Sequence, residues 1–321
     1  MHNILKKFNR LGYSVIPTPV HKLENLSKFF GANIYCKRDD MTGFAFGGNK
    51  TRKLDYLVAE AISQKADTLV CVGANQSNFC RIASAFGAAC NLDVHLVLGG
   101  KKPAVSTGNL MLDYLFGAKI THIDSEDWDV WENEAIRVSE ELRKKGKKVY
   151  WMPIGGSTPT GALGYVECMS EIMDYSRKNK IHFESIFHPT GSAGTQAGLV
   201  VGKKLFGYEG EITGIAVTKN EEQLKNEVLT LSRETSHLLE IDFHDEKIVV
   251  DDNFIGKCYG AHTRKAEDAI KLFARKEGIL LDYVYSGKAA SGMLDHIRKK
   301  HLPKNSNVLF LHTGGNIQLF N

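Results

Sequence analysis

Short apolar runs alternate with helical stretches along the chain, and this alternation restricts the fold more than any other feature. The run at 67–73 is almost continuously apolar, which is typical of a strand buried on both faces of a sheet. Repeated alternation of this kind predicts an α/β fold in which parallel sheets are covered by helices. Strands are predicted at 34–37, 67–73, 94–98, 119–123, 149–153, 185–189, 212–217 and 308–312. Helices are predicted at 51–64, 110–116 and 127–145, and two more end near residues 90 and 178.

Length and composition place the chain among ordinary globular proteins. Its 321 residues predict two compact units, and the lack of a linker-like stretch favours domains that share chain crossings. A formal charge of only +4 and the lack of a long apolar run argue against nucleic acid or a membrane as partner. The six cysteines have no metal-type spacing, and the first residues have no signal-peptide pattern. Free thiols, no metal site and a cytoplasmic location are therefore expected.

A glycine-rich loop at 47–54 leads into a predicted helix and places three cations in its first turn. Asn49 is a good N-cap residue, and Lys50, Arg52 and Lys53 follow it. The helix dipole disfavours positive charge there by about 0.3–1 kcal/mol each. A lysine in that place has a lowered pKa, which suits formation of an imine with a carbonyl group. The structural alternative is a set of solvated lysines on a surface loop.

A second loop, at 188–198, follows an apolar strand and opens a helix. Small residues with free N–H groups at a helix N-terminus form a cradle for an anion, and phosphate is the natural ligand. The segment lacks the Gly-Lys-Ser/Thr of a P-loop and the spacing of G-x-G-x-x-G. The alternative is a tight strand-to-helix turn in which glycines allow close packing.

Two further regions place polar residues after apolar runs. Ser77 and Asn78 are either ordinary N-cap residues or groups that face a ligand above the sheet edge. Polar or glycine-rich breaks in the C-terminal part lie at 259–260, 282–288 and 312–316. The tyrosines in these breaks are of a residue type that more often packs than catalyses.

The lysine loop and the anion cradle together indicate one cofactor. Pyridoxal 5′-phosphate needs a lysine amine that forms an imine with its aldehyde, and fixed N–H donors that hold its phosphate. A structural interpretation explains each loop separately but not their combination. The sequence therefore predicts a pyridoxal-phosphate enzyme that acts on a small molecule.

The chain also resembles a known family from about residue 15 to the C-terminus. The matching motifs are KRDD at 37–40, FGGNKTRKL at 46–54, QSN at 76–78, GGS at 155–157, GALGYVE at 161–167, TGSAGT at 190–195, EGILLD at 277–282, VYSGK at 284–288 and HTGG at 312–315. On these motifs the chain is similar to the 1-aminocyclopropane-1-carboxylate deaminase / D-cysteine desulfhydrase family. The resemblance implies the tryptophan-synthase-β-like fold (fold-type II), with two open, mainly parallel twisted sheets covered by helices.

The resemblance implies a role for each matching residue. Lys50 would form the imine, Asn78 would hydrogen-bond the cofactor's ring hydroxyl, and Ser77 would contact the substrate carboxylate or handle its protons. The phosphate would lie in a cradle made by Gly191, Ser192, Ala193, Gly194 and Thr195. Further contacts are expected from Ser286 and Thr313 to the cofactor, from Gln76, Asn78, Gly156 and Ser157 to the substrate, and from the catalytic tyrosines Tyr259 and Tyr285 beside it.

The resemblance also implies how the chain is divided. Residues 1–51 and 162–321 would form a large cofactor-binding domain, and residues 52–161 a small α/β domain inserted into it. The cofactor would lie in the cleft between the two domains. A homodimer is expected as well.

Position 286 bears on the type of reaction. In the cyclopropane deaminases of the family a glutamate at this place faces the pyridine nitrogen and keeps it protonated. The protonated pyridine is a strong electron sink, which the opening of a cyclopropane ring demands. Ser286 cannot supply the charge, and a neutral pyridine is enough for β-elimination. Thr313 stands where those deaminases tend to carry leucine. Both differences favour D-cysteine desulfhydrase activity, in which D-cysteine gives pyruvate, ammonia and hydrogen sulfide.

The expected reaction begins when the substrate amine displaces Lys50 from the cofactor. Lys50 or Ser77 then removes the α proton, the β substituent leaves with a proton from Tyr285, and the enamine hydrolyses. Asn75 and Phe79 depart from the family pattern, and Phe79 removes a polar group near the substrate. The alternatives are 1-aminocyclopropane-1-carboxylate deaminase or L-cysteate sulfo-lyase activity, a catalytically silent binding protein, and a dinucleotide-binding oxidoreductase, which lacks its glycine fingerprint here.

Overall fold

The computed structural model describes residues 4–244, 246–299, 302 and 305–320. The strands are β1 Val20–Lys22, β2 Asn33–Lys37, β3 Thr68–Ala74, β4 Asp93–Gly99, β5 Lys119–Ile123, β6 Val149–Met152, β7 Ser185–Thr190, β8 Glu211–Ala216, β9 Val249–Asp251 and β10 Asn307–Leu311. The helices are α1 Glu24–Phe30, α2 Asn49–Ser63, α3 Asn78–Cys90, α4 Gly108–Leu115, α5 Trp128–Lys144, α6 Pro159–Asn179, α7 Gly194–Phe206, α8 Glu221–Leu238, α9 Arg264–Glu277 and α10 Ser286–Arg298.

The strands form two sheets, both of them mainly parallel. The larger sheet has the order β1-β2-β10-β7-β8-β9, in which β1 is antiparallel to β2 and the other pairs are parallel. The smaller sheet has the order β5-β4-β3-β6 and is parallel throughout. Each of the eight predicted strands overlaps an observed strand. The predicted fold class, two open and mainly parallel sheets with helices, is confirmed.

The chain builds the smaller sheet between two visits to the larger one. Strands β1 and β2 of the larger sheet come first, β3 to β6 form the smaller sheet, and β7 to β10 return to the larger sheet. Helix α2 packs its apolar face, including Leu54 and Leu57, into the core that also contains Leu69 of β3. This path is the one that an inserted small domain requires, while the boundaries at 51/52 and 161/162 stay a prediction.

The start of α2 differs from the sequence prediction in two respects. The helix begins at Asn49 rather than Thr51, and Gly48 precedes it with a φ of +109°. Asn49 therefore does not cap the helix; its Nδ2 donates a hydrogen bond to Thr195 Oγ1 at 3.1 Å. A Cβ on Gly48 would lie 3.0 Å from the carbonyl oxygen of Thr313, so the loop passes too close to that backbone for a side chain.

Arg52 and Lys53 of α2 are buried and Lys50 is partly buried, so the alternative of solvated lysines on a surface loop is wrong. Arg52 is 1% exposed and Lys53 is 0% exposed. Arg52 Nε donates to Asp39 Oδ2 at 2.8 Å, and Arg52 Nη1 donates to Glu171 Oε1 at 2.7 Å. These ion pairs neutralise Arg52 and fix the first turn of α2 against α6, which carries Glu171.

Candidate active site

A cavity lies where the carboxyl ends of β3 and β7 face each other. Gly73 and Ala74 at the end of β3 and Pro189 and Thr190 at the end of β7 line it. Ligands in parallel sheets bind at the carboxyl ends of strands. Ten predicted site residues also line this cavity: Lys50, Ser77, Asn78, Gly191, Ser192, Ala193, Thr195, Tyr259, Tyr285 and Thr313.

Lys50 is a candidate nucleophile in the cavity. It is the second residue of α2, and burial lowers the pKa of its amine to about 8. Lys53 stands one turn later, donates from Nζ to the carbonyl oxygen of Gly155 at 3.1 Å, and has a pKa well below its ordinary value because of burial and the charge of Lys50. A lysine with a pKa near 8 has an appreciable neutral fraction at physiological pH, which is the form that attacks a carbonyl.

The loop before α7 has the features of an anion cradle. Ala193 has a φ of +61°, and Gly194 begins the helix. A Cβ on Gly194 would lie 2.6 Å from Lys53 Nζ, so a buried amine stands directly behind the loop. Thr190 lines the cavity and is buried, and its Oγ1 has no hydrogen-bond partner among the described residues. A helix N-terminus, an unused hydroxyl and a nearby amine suit a phosphate group.

Ser77 both caps a helix and lines the cavity. Its Oγ accepts a hydrogen bond from the Cys80 backbone N–H at 3.2 Å, which makes it the N-cap of α3. A Cβ on Gly73 would lie 2.6 Å from Ser77 Oγ, so the strand end must be glycine for the hydroxyl to fit there. The structural and the ligand-binding interpretations of Ser77 are therefore compatible.

Two tyrosines bring their hydroxyl groups together in the cavity. The hydroxyls of Tyr259 and Tyr285 share a short hydrogen bond. Burial raises the pKa of Tyr259 to about 12 and that of Tyr285 well above its ordinary value. Both hydroxyls therefore keep their protons at neutral pH, and the pair can donate a proton to a leaving group.

An aromatic wall faces the tyrosine pair, and most of its residues were not predicted from the sequence. Trp128 of α5 meets Tyr259 edge-on with 5.7 Å between ring centroids, and Trp131 stacks on Trp128 at 6.0 Å. Both tryptophans line the cavity together with Phe79. Because α5 is distant from the other site residues along the chain, only the packing of the two sheets brings it there.

Comparison with known proteins agrees with this geometry. A sequence model of the family described as pyridoxal-phosphate dependent enzyme matches residues 12–314. The chain is 40% identical to a Pyrococcus furiosus protein provisionally named 1-aminocyclopropane-1-carboxylate deaminase, over 98% of this chain and 94% of the relative. It is 37% identical to a D-cysteine desulfhydrase of Serratia proteamaculans, over 98% of this chain and 96% of the relative. A crystal structure of an ACC deaminase homologue superimposes with a TM-score of 0.93 at 36% identity, covering 99% of this chain and 95% of the other.

The chain belongs to the pyridoxal-phosphate dependent enzymes. This confirms the predicted family and cofactor, and it decides against a dinucleotide-binding oxidoreductase. None of the helices in the described part of the chain combines the length and the apolar character that crossing a membrane requires. Within the same ranges, no three His, Cys, Asp or Glu side chains come together as a metal ion would need.

Ser286 lies behind the cavity of this pyridoxal-phosphate enzyme rather than in its lining. It is fully buried at the start of α10, and its Oγ donates to Asp282 Oδ1 at 2.5 Å and accepts from the Asp282 N–H at 2.8 Å. Asp282 also accepts the Tyr285 N–H at 2.8 Å, and burial raises the pKa of its carboxyl group. Asp282 lies in the polar break at 282–288, but the sequence predicted no site role for it. It places a carboxyl group next to the hydroxyl at position 286.

Four other predicted residues support the lining from behind. Gln76 binds the start of α4, since its Oε1 accepts from the Asn109 N–H at 2.9 Å. Ser157 donates to Ser192 Oγ at 3.0 Å. A Cβ on Gly156 would lie 2.8 Å from Phe79 Cε2, so Gly156 permits the aromatic wall to close. The fourth residue, Gly194, lies next to the amine of Lys53.

Proposed function

We propose that this pyridoxal-phosphate enzyme catalyses β-elimination on a small amino acid, with D-cysteine as its substrate. The observation that carries the proposal is one cavity in which an amine of lowered pKa, Lys50, faces the Tyr259–Tyr285 pair and an anion cradle. The elimination needs a base, an acid and a fixed cofactor, and the cavity offers a candidate for each. The relatives named D-cysteine desulfhydrase support the same reaction.

The cavity residues divide into those that hold the cofactor and those that act on the substrate. The cradle at 191–195, with Lys53 behind it, would hold the phosphate, and Lys50 would hold the aldehyde carbon. Asn78 would hydrogen-bond the ring hydroxyl. When bound, pyridoxal phosphate withdraws electrons from the substrate's Cα and so makes its C–H bond acidic.

The protein's own groups then move the protons. Once the substrate amine has replaced it on the aldehyde carbon, Lys50 is a neutral amine that would accept the proton from Cα, and Ser77 would orient the substrate carboxylate. The Cβ–S bond breaks with its electron pair on sulfur, and the Tyr259–Tyr285 pair donates the proton that makes hydrogen sulfide a good leaving group. Hydrolysis of the remaining enamine consumes one water, so D-cysteine and water give pyruvate, ammonia and hydrogen sulfide.

Two alternatives on the same site have specific support. The relative provisionally named 1-aminocyclopropane-1-carboxylate deaminase favours ring opening, and so does the Asp282 carboxyl group beside Ser286. Against it stand Ser286 itself and Thr313, neither of which carries a charge at the cavity. L-Cysteate sulfo-lyase activity would use the same acid and base with a sulfonate leaving group.

One assay separates these possibilities. Purified protein with added cofactor is offered D-cysteine, L-cysteine, D-serine, L-cysteate and 1-aminocyclopropane-1-carboxylate, and keto acid and sulfide are measured. We expect sulfide and pyruvate from D-cysteine at the highest kcat/KM. Turnover of the cyclopropane alone, giving 2-oxobutanoate, would overturn the proposal, and no turnover with a bound cofactor would indicate a silent binding protein. Lys50→Ala is the control, since it should remove both activity and the visible band of bound cofactor.

We further propose the domain division at 51/52 and 161/162, a homodimer and a cytoplasmic location. The chain path between the two sheets supports the first. Light scattering of the purified protein tests the dimer, since a mass of one chain in solution would refute it. Hydrogen exchange of the intact protein tests the division, because two compact units should differ in their level of protection on the two sides of these boundaries.

A further inference from the structure

The amide of Asn78 is held in one orientation by donors on its oxygen side. Arg81 Nη1 and Asn109 Nδ2 both lie 2.9 Å from Asn78 Oδ1. An arginine can only donate, so the Asn78 atom that faces it must be the amide oxygen. The NH2 group of Asn78 is then the part that remains for the cavity, which Asn78 lines.

The neighbours of the Asn109 amide also fix its orientation. Its Oδ1 accepts from Arg81 Nη1 at 2.7 Å, and its Nδ2 donates to the backbone carbonyl of Gln76 at 2.8 Å. One neighbour can only donate and the other can only accept, so the Asn109 amide cannot be turned over without losing both bonds. Arg81 is fixed in turn, because its Nη2 donates to the carbonyl oxygen of Gly47 at 2.9 Å.

This network is buried and links three parts of the site. Arg81 is 1% exposed and Asn109 is 0% exposed, so their hydrogen bonds do not compete with bulk water. Arg81 belongs to α3, Asn109 to α4, and Gly47 to the loop that leads to Lys50. A change in the network would therefore move Asn78 relative to the lysine loop.

We infer that Arg81 and Asn109 are positioning residues that point the Asn78 NH2 group at the ring oxygen of the cofactor. The inference rests on the proposed function, since it needs the ring oxygen to face Asn78. An N–H donor stabilises the negatively charged form of the oxygen that it faces, and the positive charge of Arg81 strengthens this donor through the amide. Loss of the network should therefore weaken cofactor binding and raise the pH at which the bound cofactor's visible band titrates.

The test uses the cofactor-loaded enzyme and the near-isosteric variant Asn109→Leu, which removes the Asn109 donor to Asn78 together with the bonds of the Asn109 amide to Arg81 and Gln76. We expect about threefold to tenfold weaker cofactor binding and a titration midpoint raised by up to about one pH unit, as the loss of one hydrogen bond to Asn78 implies. Arg81→Lys keeps the charge but loses the forked contact, so its midpoint should lie between those of the wild type and Arg81→Gln.

Two control variants separate this effect from general damage. Ser84 lies one turn after Arg81 in α3 and donates to Asp113 Oδ1 at 2.9 Å without touching Asn78. Ser84→Ala should lower stability and leave the midpoint unchanged. Burial raises the pKa of Asp113 to about 7, within the titrated range, so Asp113→Asn shows whether the midpoint reports this carboxyl group instead.

The outcomes distinguish the inference from the proposed function. A raised midpoint and weaker binding in Asn109→Leu, with both values unchanged in Ser84→Ala, would support the positioning role. Wild-type values in Asn109→Leu would overturn it while leaving Lys50 as the cofactor lysine. A midpoint that moves in Asp113→Asn alone would also overturn it. The lack of a visible band in the cofactor-treated wild type would refute the proposed function and, with it, this inference.

Discussion

Replacement of Lys50 by methionine should stabilise the cofactor-free protein at neutral pH. The fall in the pKa of Lys50 from 10.5 to about 8 arises from burial, which disfavours the charged amine. This fall corresponds to about 3 kcal/mol of folding free energy, at about 1.4 kcal/mol for each pKa unit. Since Lys50 is only half-buried and water in the cavity screens part of the charge, we expect about 1–3 kcal/mol. Methionine keeps a long apolar side chain and has no charge to bury.

The stabilisation by Lys50→Met should depend on pH, because the folded and unfolded chains bind the Lys50 proton with different affinity. Between pH 8 and 10.5 the unfolded chain holds the Lys50 proton more often than the folded protein does, so wild-type stability rises with pH in that window. The penalty is therefore complete below about pH 8 and absent above about pH 10.5. Lys53 adds to the effect with the same sign, because the charge of Lys50 contributes to its lowered pKa.

Urea unfolding of wild type and Lys50→Met at pH 7, 8.5 and 10 measures the difference. Lys28→Met is the matched control, since Lys28 is exposed on α1 and its replacement should change stability little at any of these pH values. A difference between wild type and Lys50→Met that does not shrink as the pH rises would refute the reasoning. A less stable Lys50→Met at pH 7 would do so as well.

Three further predictions test the rest of the site. Tyr285→Phe should lower kcat for pyruvate formation about 10²–10⁴-fold with little change in KM, because the variant loses the proton donor for the leaving group. The control is Tyr283→Phe, which should keep wild-type kinetics because Tyr283 does not line the cavity. Gly194→Ala puts a methyl carbon 2.6 Å from Lys53 Nζ and should weaken cofactor binding about tenfold or more in equilibrium dialysis. Arg52→Met leaves the buried Asp39 carboxylate without its ion-pair partner, while Glu171 keeps its ion pair with Lys37. It should lower the free energy of unfolding, measured in urea, by about 3–5 kcal/mol, and an unchanged midpoint would show that the Arg52 ion pairs are dispensable.

The strands of both sheets could be predicted because their signal is local. A strand such as 67–73, buried on both faces, is a continuous apolar run and needs no tertiary information to be found. Strands β1 and β9 were missed because each has three residues, too few to show a period. Helix α10 was missed because it contains Gly287 and Gly292, which are unfavourable inside helices. A Cβ on Gly287 would meet the carbonyl oxygen of Asp282, and a Cβ on Gly292 would meet the side chain of Ile215.

The part of the candidate site that is made of strand-to-helix loops could be predicted from the sequence. Ser77 and most of the cradle residues stand in such loops, and Lys50 stands in the first turn of the helix that follows one. Each loop has its own pattern of glycines and small polar residues. The tryptophans of α5 and the carboxyl group of Asp282 could not be found in that way. They reach the site through the packing of separate elements. The segment of the tryptophans has no pattern of its own, and the polar break at 282–288 does not by itself pair Asp282 with Ser286.

The three cations at the start of α2 now have a common explanation. Arg52 is neutralised by Asp39 and Glu171, whereas neither Lys50 nor Lys53 has a carboxylate within salt-bridge distance in the described part of the chain. One buried amine and one partly buried amine, both without counter-charge, destabilise the cofactor-free fold, which is a cost that a structural role would not require. A phosphate in the adjacent cradle would bring the missing negative charge. The unfavourable position of these lysines is therefore understandable only if an anionic ligand belongs to the functional protein.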